Sequence, residues 1–146
     1  MKIRKIKKSD LFDCYNILRA AYALEPHNEK INKDVAKKYI DNKYNYCKKN
    51  SFVLTEENEI IGFIFINISS WSNGPQAIIE EIVISPKYQN KGLGKKLLEY
   101  TDKHFKKNKV KSIMIWNKKS PKLINFYQKQ GFFLDNNFIV MFKDFK

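Results

Sequence analysis

The stretch from Ile78 to Leu98, IIEEIVISPKYQNKGLGKKLL, decides the fold of this chain. It begins as an apolar, β-branched run typical of a buried strand, and this run carries two adjacent carboxylates, Glu80 and Glu81. A Ser-Pro step and a polar loop with Gly92 and Gly94 follow, and then the lysine-rich start of a predicted helix. A strand that leads into a glycine loop at a helix start presents unpaired backbone N–H groups to an anion. The stretch therefore predicts a phosphate site with two carboxylates one loop upstream.

Strands and helices are predicted on both sides of this stretch from the spacing of apolar residues. In chain order they are strand 2–7, a helix from Ser9 as N-cap to about 23, a helix capped by Asn32, strands 51–56, 60–69 and 77–85, helix 92–107, strand 110–116, helix 121–130 after Ser120-Pro121, and a closing hairpin of 132–135 and 138–143. Strand 77–85, the following helix and strand 110–116 form a βαβ unit. These two strands should therefore be parallel and joined by a right-handed crossover.

Length and composition predict one globular domain over residues 1–146. The chain is 43% hydrophobic and 14% aromatic, and it holds no apolar run long enough to cross a membrane. The N-terminal MKIRKIKKSD is basic but is not followed by the apolar segment of a secretory signal. Cys14 and Cys47 are isolated, which favours reduced thiols. We therefore expect a cytoplasmic protein.

The net charge is +13, from 28 basic and 15 acidic residues. Only Arg4 and Arg19 are arginine, so almost all of the positive charge is carried by lysine. Specific base recognition and bidentate phosphate binding favour arginine, and the lysines are therefore weak evidence for sequence-specific nucleic-acid binding. They would still raise the local concentration of a polyanion.

Three kinds of phosphate loop compete for the glycine segment. A dinucleotide fold requires a third glycine at position 97, where this chain has Leu97, and an acidic residue about 20 positions later. A nucleoside-triphosphate loop requires Gly-Lys-Ser/Thr after a four-residue spacer, and that spacing is absent. A loop that binds the pyrophosphate of coenzyme A remains.

Two segments carry a resemblance to a known family. Gln89-Asn90-Lys91-Gly92-Leu93-Gly94 resembles the Q/R-x-x-G-x-G/A signature of the GCN5-related N-acetyltransferases, the GNAT family, and Phe126-Tyr127-Gln128-Lys129-Gln130-Gly131-Phe132 resembles its closing motif. The acidic pair makes the pattern most similar to acetyltransferases of small-molecule amines. The resemblance implies an α/β (α+β) fold: a mixed, mostly antiparallel sheet with a splayed parallel pair of fourth and fifth strands and helices on both faces.

The same resemblance implies acetyl-CoA as co-substrate, and no residue cluster suggests a metal. Backbone N–H groups of the glycine loop would bind the pyrophosphate, and the strand before it would pair with the pantetheine arm. The expected cofactor-binding residues are Ile82, Val83, Ile84, Gln89, Asn90, Lys91, Gly92, Leu93, Gly94, Lys95 and Ser120. Where the family often has an asparagine seven residues before the tyrosine, this chain has Ser120, and an asparagine occurs at Asn117 instead.

Acyl transfer to an amine requires a proton acceptor, donors for the carbonyl oxygen and an acid for the leaving thiolate. Glu80 is the expected base and Tyr127 the expected acid, with backbone N–H groups near Val83 and Ile84 as donors. Adjacent strand residues face opposite sides, so only one of the two glutamates is expected to face the cleft directly, and which one stays open. The expected acceptor contacts are Glu81, Glu25, His27 and Trp71.

These features predict direct transfer of an acetyl group to a primary amine of a small molecule, with polyamine, aminoglycoside and amino sugar as options. A protein N-terminus or lysine is the alternative acceptor. A module on the same fold that binds a polyanion or nucleic acid without catalysis is the alternative from another class, although nucleic acid and membrane are not the expected partners. A homodimer is a further expectation.

Overall fold

A five-stranded mixed sheet in the order β1-β2-β3-β4-β5 forms the centre of the computed structural model, which describes residues 1–146. The strands are β1 (Lys2–Lys5), β2 (Phe52–Glu56), β3 (Glu59–Ser69), β4 (Gln76–Ile84) and β5 (Ser112–Met114). The helices are α1 (Leu11–Tyr22), α2 (Lys33–Cys47), α3 (Leu93–Lys107) and α4 (Pro121–Gln128). No helix is both long and apolar enough to cross a membrane.

Every strand pairing is antiparallel except β4 with β5, which is parallel as predicted. That pair is short, because only residues 76–78 of β4 align with 112–114 of β5. The rest of β4 continues to Ile84 without a neighbour on that side. The predicted splayed pair is therefore present.

Apolar side chains pack on both faces of the sheet. On one face, Phe63, Phe65 and Val83 form a buried cluster with residues of α1 and α2. On the other face, inward residues of β2, β3 and β4 pack against Leu97 and Leu98 of α3. Both cysteines are free and buried within the first cluster, whose helices α1 and α2 cover the acidic end of β4.

A β-bulge interrupts the pairing of β3 with β4 at the acidic pair. Phe65 lies opposite Glu81, whereas Ile66 lies opposite Ile79, so Glu80 is the extra residue of β4. A bulge breaks the alternation of side chains between the two faces. As a result Glu81 reaches partners on α1 and α2, Glu80 reaches a partner on α2, and both line the same cavity. Our expectation that only one of them faces the cleft was wrong for this reason.

The start of the first helix differs from its predicted N-cap. Ser9 lies inside a 3₁₀ turn of Lys8–Asp10, and its side chain caps nothing. The carboxylate of Asp10 accepts a hydrogen bond from the Lys7 amide at 2.7 Å and forms a two-pronged ion pair with Arg4. Burial opposes ionisation of this carboxyl group, but these donors outweigh it and hold its pKa below the ordinary value.

The predicted C-terminal hairpin is not formed. No strand follows α4, and the chain beyond Gly131 is irregular. Most of its large apolar side chains are exposed, and those of Phe138, Ile139 and Phe142 are 74–85% exposed. Alternation of apolar residues favoured strands here, but a strand also needs a paired neighbour, and β5 is too short to offer a long edge.

Candidate active site

The loop before α3 presents unpaired backbone N–H groups, as predicted. Gly92, with φ 75°, is the left-handed residue from which α3 begins, and Asn90 is also left-handed with φ 61°. None of the amides from Asn90 to Lys95 donates a hydrogen bond within the chain. A Cβ at Gly92 would meet no atom within 4 Å, so the space in front of these amides is open. This is a cradle for an anion.

The second glycine has a different role. A Cβ at Gly94 would lie 3.2 Å from the Phe126 ring, so this glycine lets α4 pack closely against the start of α3. The Gln89 side chain donates to the carbonyl of Ile84 at 3.0 Å and fastens the loop to the end of β4. Lys91 lies over the Tyr88 ring, and Lys95 lies 3.7 Å from Glu99. Both lysines flank the cradle.

The end of β4 offers an open strand edge beside the cradle. The Ser85 amide bonds to the carbonyl of Ile61, and in an antiparallel ladder the paired residues alternate. By that alternation Val83 bonds to β3, and the backbone groups of Ile82 and Ile84 point to the side where β5 has diverged. Of the donors expected near Val83 and Ile84, the N–H of Ile84 therefore faces the cleft, whereas the N–H of Ile82 bonds to the Glu81 carboxylate.

A two-lobed cleft runs along this open edge. The larger lobe, about 350 Å³, is lined by the end of β4, the glycine loop and α4. The smaller lobe, about 170 Å³, lies between the acidic pair, α1, α2 and the chain after β5. The residues that line both lobes are Tyr22, His27, Glu81, Ile82 and Asn117.

Glu81 lies at the junction of the two lobes and is held by two phenols. Its Oε2 atom accepts hydrogen bonds from Tyr22 of α1 at 2.9 Å and Tyr39 of α2 at 3.0 Å. Burial raises the pKa of Glu81, and the two phenol donors offset this only in part. Burial also raises the pKa of each tyrosine, so both phenols keep their protons and remain donors. A carboxyl group with a raised pKa is suited to accept a proton.

Glu80 lines only the smaller lobe and is already paired. Its Oε2 atom lies 2.7 Å from the Lys43 Nζ atom of α2, and the two side chains are 16% and 13% exposed. Burial lowers the pKa of Lys43, but its bonds to Glu80 and Tyr46 outweigh this and raise it above the ordinary value. Lys43 is therefore charged, and its ammonium group already occupies the Glu80 carboxylate.

Tyr127 of α4 lines the larger lobe together with Ile84 and the glycine loop. Burial raises the pKa of Tyr127 to about 12, and the Asn117 amide opposes that rise. Ser120 lines neither lobe; it occupies the N-cap position of α4, where its side chain makes no capping hydrogen bond. Asn117 faces both lobes instead. Asn117 lies ten residues before Tyr127, three more than the spacing of seven expected from the family, so the sequence alone did not show whether it faces the cleft.

Of the remaining expected acceptor contacts, two line the cleft and one does not. His27 lines both lobes and stacks on Tyr22 with ring centroids 4.1 Å apart, and burial lowers its pKa. Glu25 lines the larger lobe. Trp71, 68% exposed in the β3–β4 loop, lines neither lobe, because this loop lies at the opposite end of β4. Trp116 and Lys118 line the smaller lobe, and no feature of the sequence had singled them out.

Comparison with known proteins agrees with this architecture. A model of the acetyltransferase (GNAT) family matches residues 11–132. A ycf52-like N-acetyltransferase of Prochlorococcus marinus is 37% identical over 60 residues, which make up 41% of this chain and 32% of that relative. The matched part of the chain thus spans about a third of the relative's length.

Solved structures share the whole fold. PH1933 from Pyrococcus horikoshii OT3 is 27% identical, with a TM-score of 0.75 over 89% of this chain and 87% of that one. A possible acetyltransferase from Clostridium difficile 630 is 16% identical, with a TM-score of 0.83 over 99% and 98%. An aminoglycoside acetyltransferase from a soil metagenomic sample, solved with sisomicin, is 20% identical, with a TM-score of 0.71 over 99% and 96%. The last two likenesses show the fold alone.

The fold, with its splayed parallel strand pair beside a glycine-led helix, and the family match together define an enzyme that transfers acetyl groups. The chain belongs to the acetyltransferase (GNAT) family. The fold and the family predicted from the sequence are thereby confirmed.

Proposed function

We propose that this protein transfers an acetyl group from acetyl-CoA directly to a primary amine of a small molecule. The observation that carries the proposal is that one lobe is lined by both the glycine loop with its free amides and Glu81, which it shares with the smaller lobe. One end of this cleft suits a diphosphate and the other suits an amine. Family membership supports the choice of donor.

The larger lobe fits coenzyme A in three respects. The open amides from Asn90 to Lys95 suit the pyrophosphate, with Lys91 and Lys95 beside them. The edge groups that remain available, the N–H of Ile84 and the carbonyl of Ile82, suit the amide groups of the pantetheine arm, which would add to the sheet like a strand. Bound acetyl-CoA would supply an activated thioester at the junction of the lobes.

Glu81 is our preferred proton acceptor, and this choice departs from the expected role of Glu80. An alkylammonium group has a pKa near 10, so it must lose a proton before its nitrogen can attack. Glu81 lies where the two lobes meet, whereas Glu80 lies in the smaller lobe and is neutralised by Lys43. In this scheme Glu80 and Lys43 shape the acceptor end.

Tyr127 is the proposed acid for the departing thiolate. Its raised pKa keeps the phenol protonated near neutral pH, and it lies beside Asn117 in the larger lobe. Backbone N–H groups at the open edge of β4 are proposed to stabilise the negative charge that develops on the carbonyl oxygen. His27 and Glu25 remain proposed acceptor contacts, and Trp71 has the weaker case because it lies outside the cleft.

A small-molecule acceptor is favoured over a protein because the smaller lobe is confined. At about 170 Å³ it is below the usual range for drug-sized ligands, roughly 300–1,000 Å³, and residues of α1, α2 and the segment after β5 form its walls. A protein lysine remains the second candidate, since its side chain alone could enter such a pocket. Relative rates for free amines and lysine peptides distinguish the two.

Thiol release from acetyl-CoA in the presence of a panel of primary amines tests the proposed function. We expect acetyl-CoA to bind in calorimetry and at least one small amine to stimulate thiol release. Tyr127→Phe should lower kcat about 10- to 100-fold while the Kd for acetyl-CoA stays within threefold, because only the proton donor is removed. Absence of acetyl-CoA binding would reject the proposal, and unchanged kcat in this variant would reject the role of Tyr127.

We also propose a homodimer, on the basis of the exposed apolar segment after Gly131 and the free edge of β5. Burial of Phe138, Ile139, Val140 and Phe142 between two copies would remove most of this apolar surface from water. Light scattering should give twice the mass of one chain, and the double variant Ile139→Asp, Phe142→Asp should give a single-chain mass. A single-chain mass for the unchanged protein at 0.1 mM would exclude the dimer.

A further inference from the structure

The charges around the smaller lobe are already balanced before an acceptor enters. Glu80 and Glu81 line the lobe, together with one lysine, Lys118. A second lysine, Lys43, is bound to Glu80 at 2.7 Å from behind. Glu25 belongs to the larger lobe, and Glu29, which acts electrostatically on Tyr22 and His27, lines neither lobe; both are exposed. Of the two carboxylates that line the smaller lobe, only Glu81 therefore has no lysine within ion-pair distance.

The remaining walls of the lobe are apolar or aromatic. Ile79, Ile82 and Ile115 line it with the rings of Trp116 and of the two tyrosines that hold Glu81. None of these residues offers a second negative charge. A second ammonium group on the acceptor would lie among apolar side chains or near a lysine, and it would lose its hydration without gaining an ion pair.

We propose that the acceptor is a monoamine with an uncharged apolar or aromatic body, and that the Lys43–Glu80 ion pair excludes polyamines and aminoglycosides. The inference rests on the proposed function and narrows its acceptor. One ammonium group meets Glu81 at the junction of the lobes, and the body packs against the isoleucines and Trp116. The lobe of about 170 Å³ admits a short chain or a single ring.

The charge of the whole molecule acts in the same direction. At a net charge of +13 the protein repels a polycation more strongly than a monocation during approach. This repulsion weakens with salt, whereas the local effect of Lys43 beside a partly buried carboxylate is screened much less. Salt titration therefore separates the two contributions.

An isosteric pair of amines tests the proposal. Pentylamine and 1,4-diaminobutane have the same number of heavy atoms and differ by one terminal ammonium group in place of a methyl group. With acetyl-CoA and thiol detection at 0.3 M salt, we expect kcat/KM for pentylamine to exceed that for the diamine at least tenfold. The kcat/KM for 2-phenylethylamine should be high, like that for pentylamine, and the kcat/KM for spermidine should be low, like that for the diamine. Equal or better use of the diamine would overturn the proposal.

A charge-removing variant tests the role of the ion pair. Lys43→Met frees the Glu80 carboxylate in the lobe, so the rate ratio of diamine to monoamine should rise at least tenfold. The matched control is Lys37→Met on the same helix, which removes the exposed ion pair with Asp41 and should leave the ratio within twofold. An unchanged ratio in Lys43→Met would refute the proposed exclusion.

Two further measurements keep the test decisive. If Lys43→Met does not fold, Lys118→Met removes the other lysine at the lobe from a more exposed position, and the same rise of the ratio is expected. If no amine releases thiol, calorimetric binding of pentylamine and the diamine to the protein with coenzyme A decides the preference directly. Loss of turnover with every amine counts against the proposed function, whereas preference for the diamine counts against this inference alone.

Discussion

Replacing Glu81 with glutamine should lower kcat/KM for acetyl transfer about 100- to 1,000-fold, the range expected for the loss of a positioned proton acceptor. Glutamine keeps the shape of the side chain, and its carbonyl oxygen can still accept from Tyr22 and Tyr39. The Kd for acetyl-CoA should therefore change less than threefold. Steady-state thiol release and calorimetry on the same preparation measure both quantities.

Glu80→Gln is the matched control, because it makes the same chemical change one residue earlier on the same strand. Since Glu80 is bound to Lys43, its replacement should alter the choice of acceptor and lower kcat/KM for the best amine less than tenfold. A loss in Glu80→Gln that equals or exceeds the loss in Glu81→Gln would return the role of base to Glu80. Circular dichroism and thermal unfolding must show that both variants are folded.

The pH dependence of kcat/KM independently tests whether Glu81 is the proton acceptor. A base works only when deprotonated, so the rate should rise as pH increases through the pKa of Glu81. Burial raises this pKa above that of an exposed glutamate, and the rising limb should accordingly lie at higher pH than for an exposed carboxylate. Glu81→Gln should abolish this limb, and Glu80→Gln should preserve it.

How far the sequence predicts this site depends on which interactions are local. The glycine loop could be predicted because φ near 75° at Gly92 and a helix start are encoded within a few residues. The orientation of the glutamates could not, because the bulge at Glu80 arises from pairing with β3. The sequence also did not show whether Asn117 or Ser120 faces the cleft. This depends on where β4 and β5 diverge, which again is set by strand pairing.

The closing hairpin shows the limit of apolar alternation as a signal. Residues 138–143 have the composition of a strand, yet they are exposed and unpaired. A strand is stabilised by its neighbours, and a sequence pattern does not specify whether a neighbour comes from the same chain or from another copy. The predictions at the bulge and at the closing hairpin therefore failed for a related reason, because each depends on a neighbour outside the segment itself: β3 for the bulge and β5 for the hairpin.

Gly92→Glu should raise the KM for acetyl-CoA at least 100-fold, which is the second large effect expected from this structure. The new side chain would project into the open space before the unpaired amides and would place a negative charge where a diphosphate is proposed to bind. The chain itself has no atom within 4 Å of a Cβ at this position, so steric damage to the fold is not the cause.

Gly131→Glu provides a control with the same backbone strain. Gly131 has φ 86° against 75° at Gly92, it also lies at a helix end, and a Cβ there likewise meets nothing within 4 Å. Both substitutions force glutamate into a left-handed conformation at a cost of about 1–2 kcal/mol, and both add one negative charge. Of these two glycines, only Gly92 lines the larger lobe. The two variants should lose similar stability in thermal unfolding, and only Gly92→Glu should lose affinity for acetyl-CoA. Equal affinity losses would mean that left-handed strain, and not the anion cradle, governs binding.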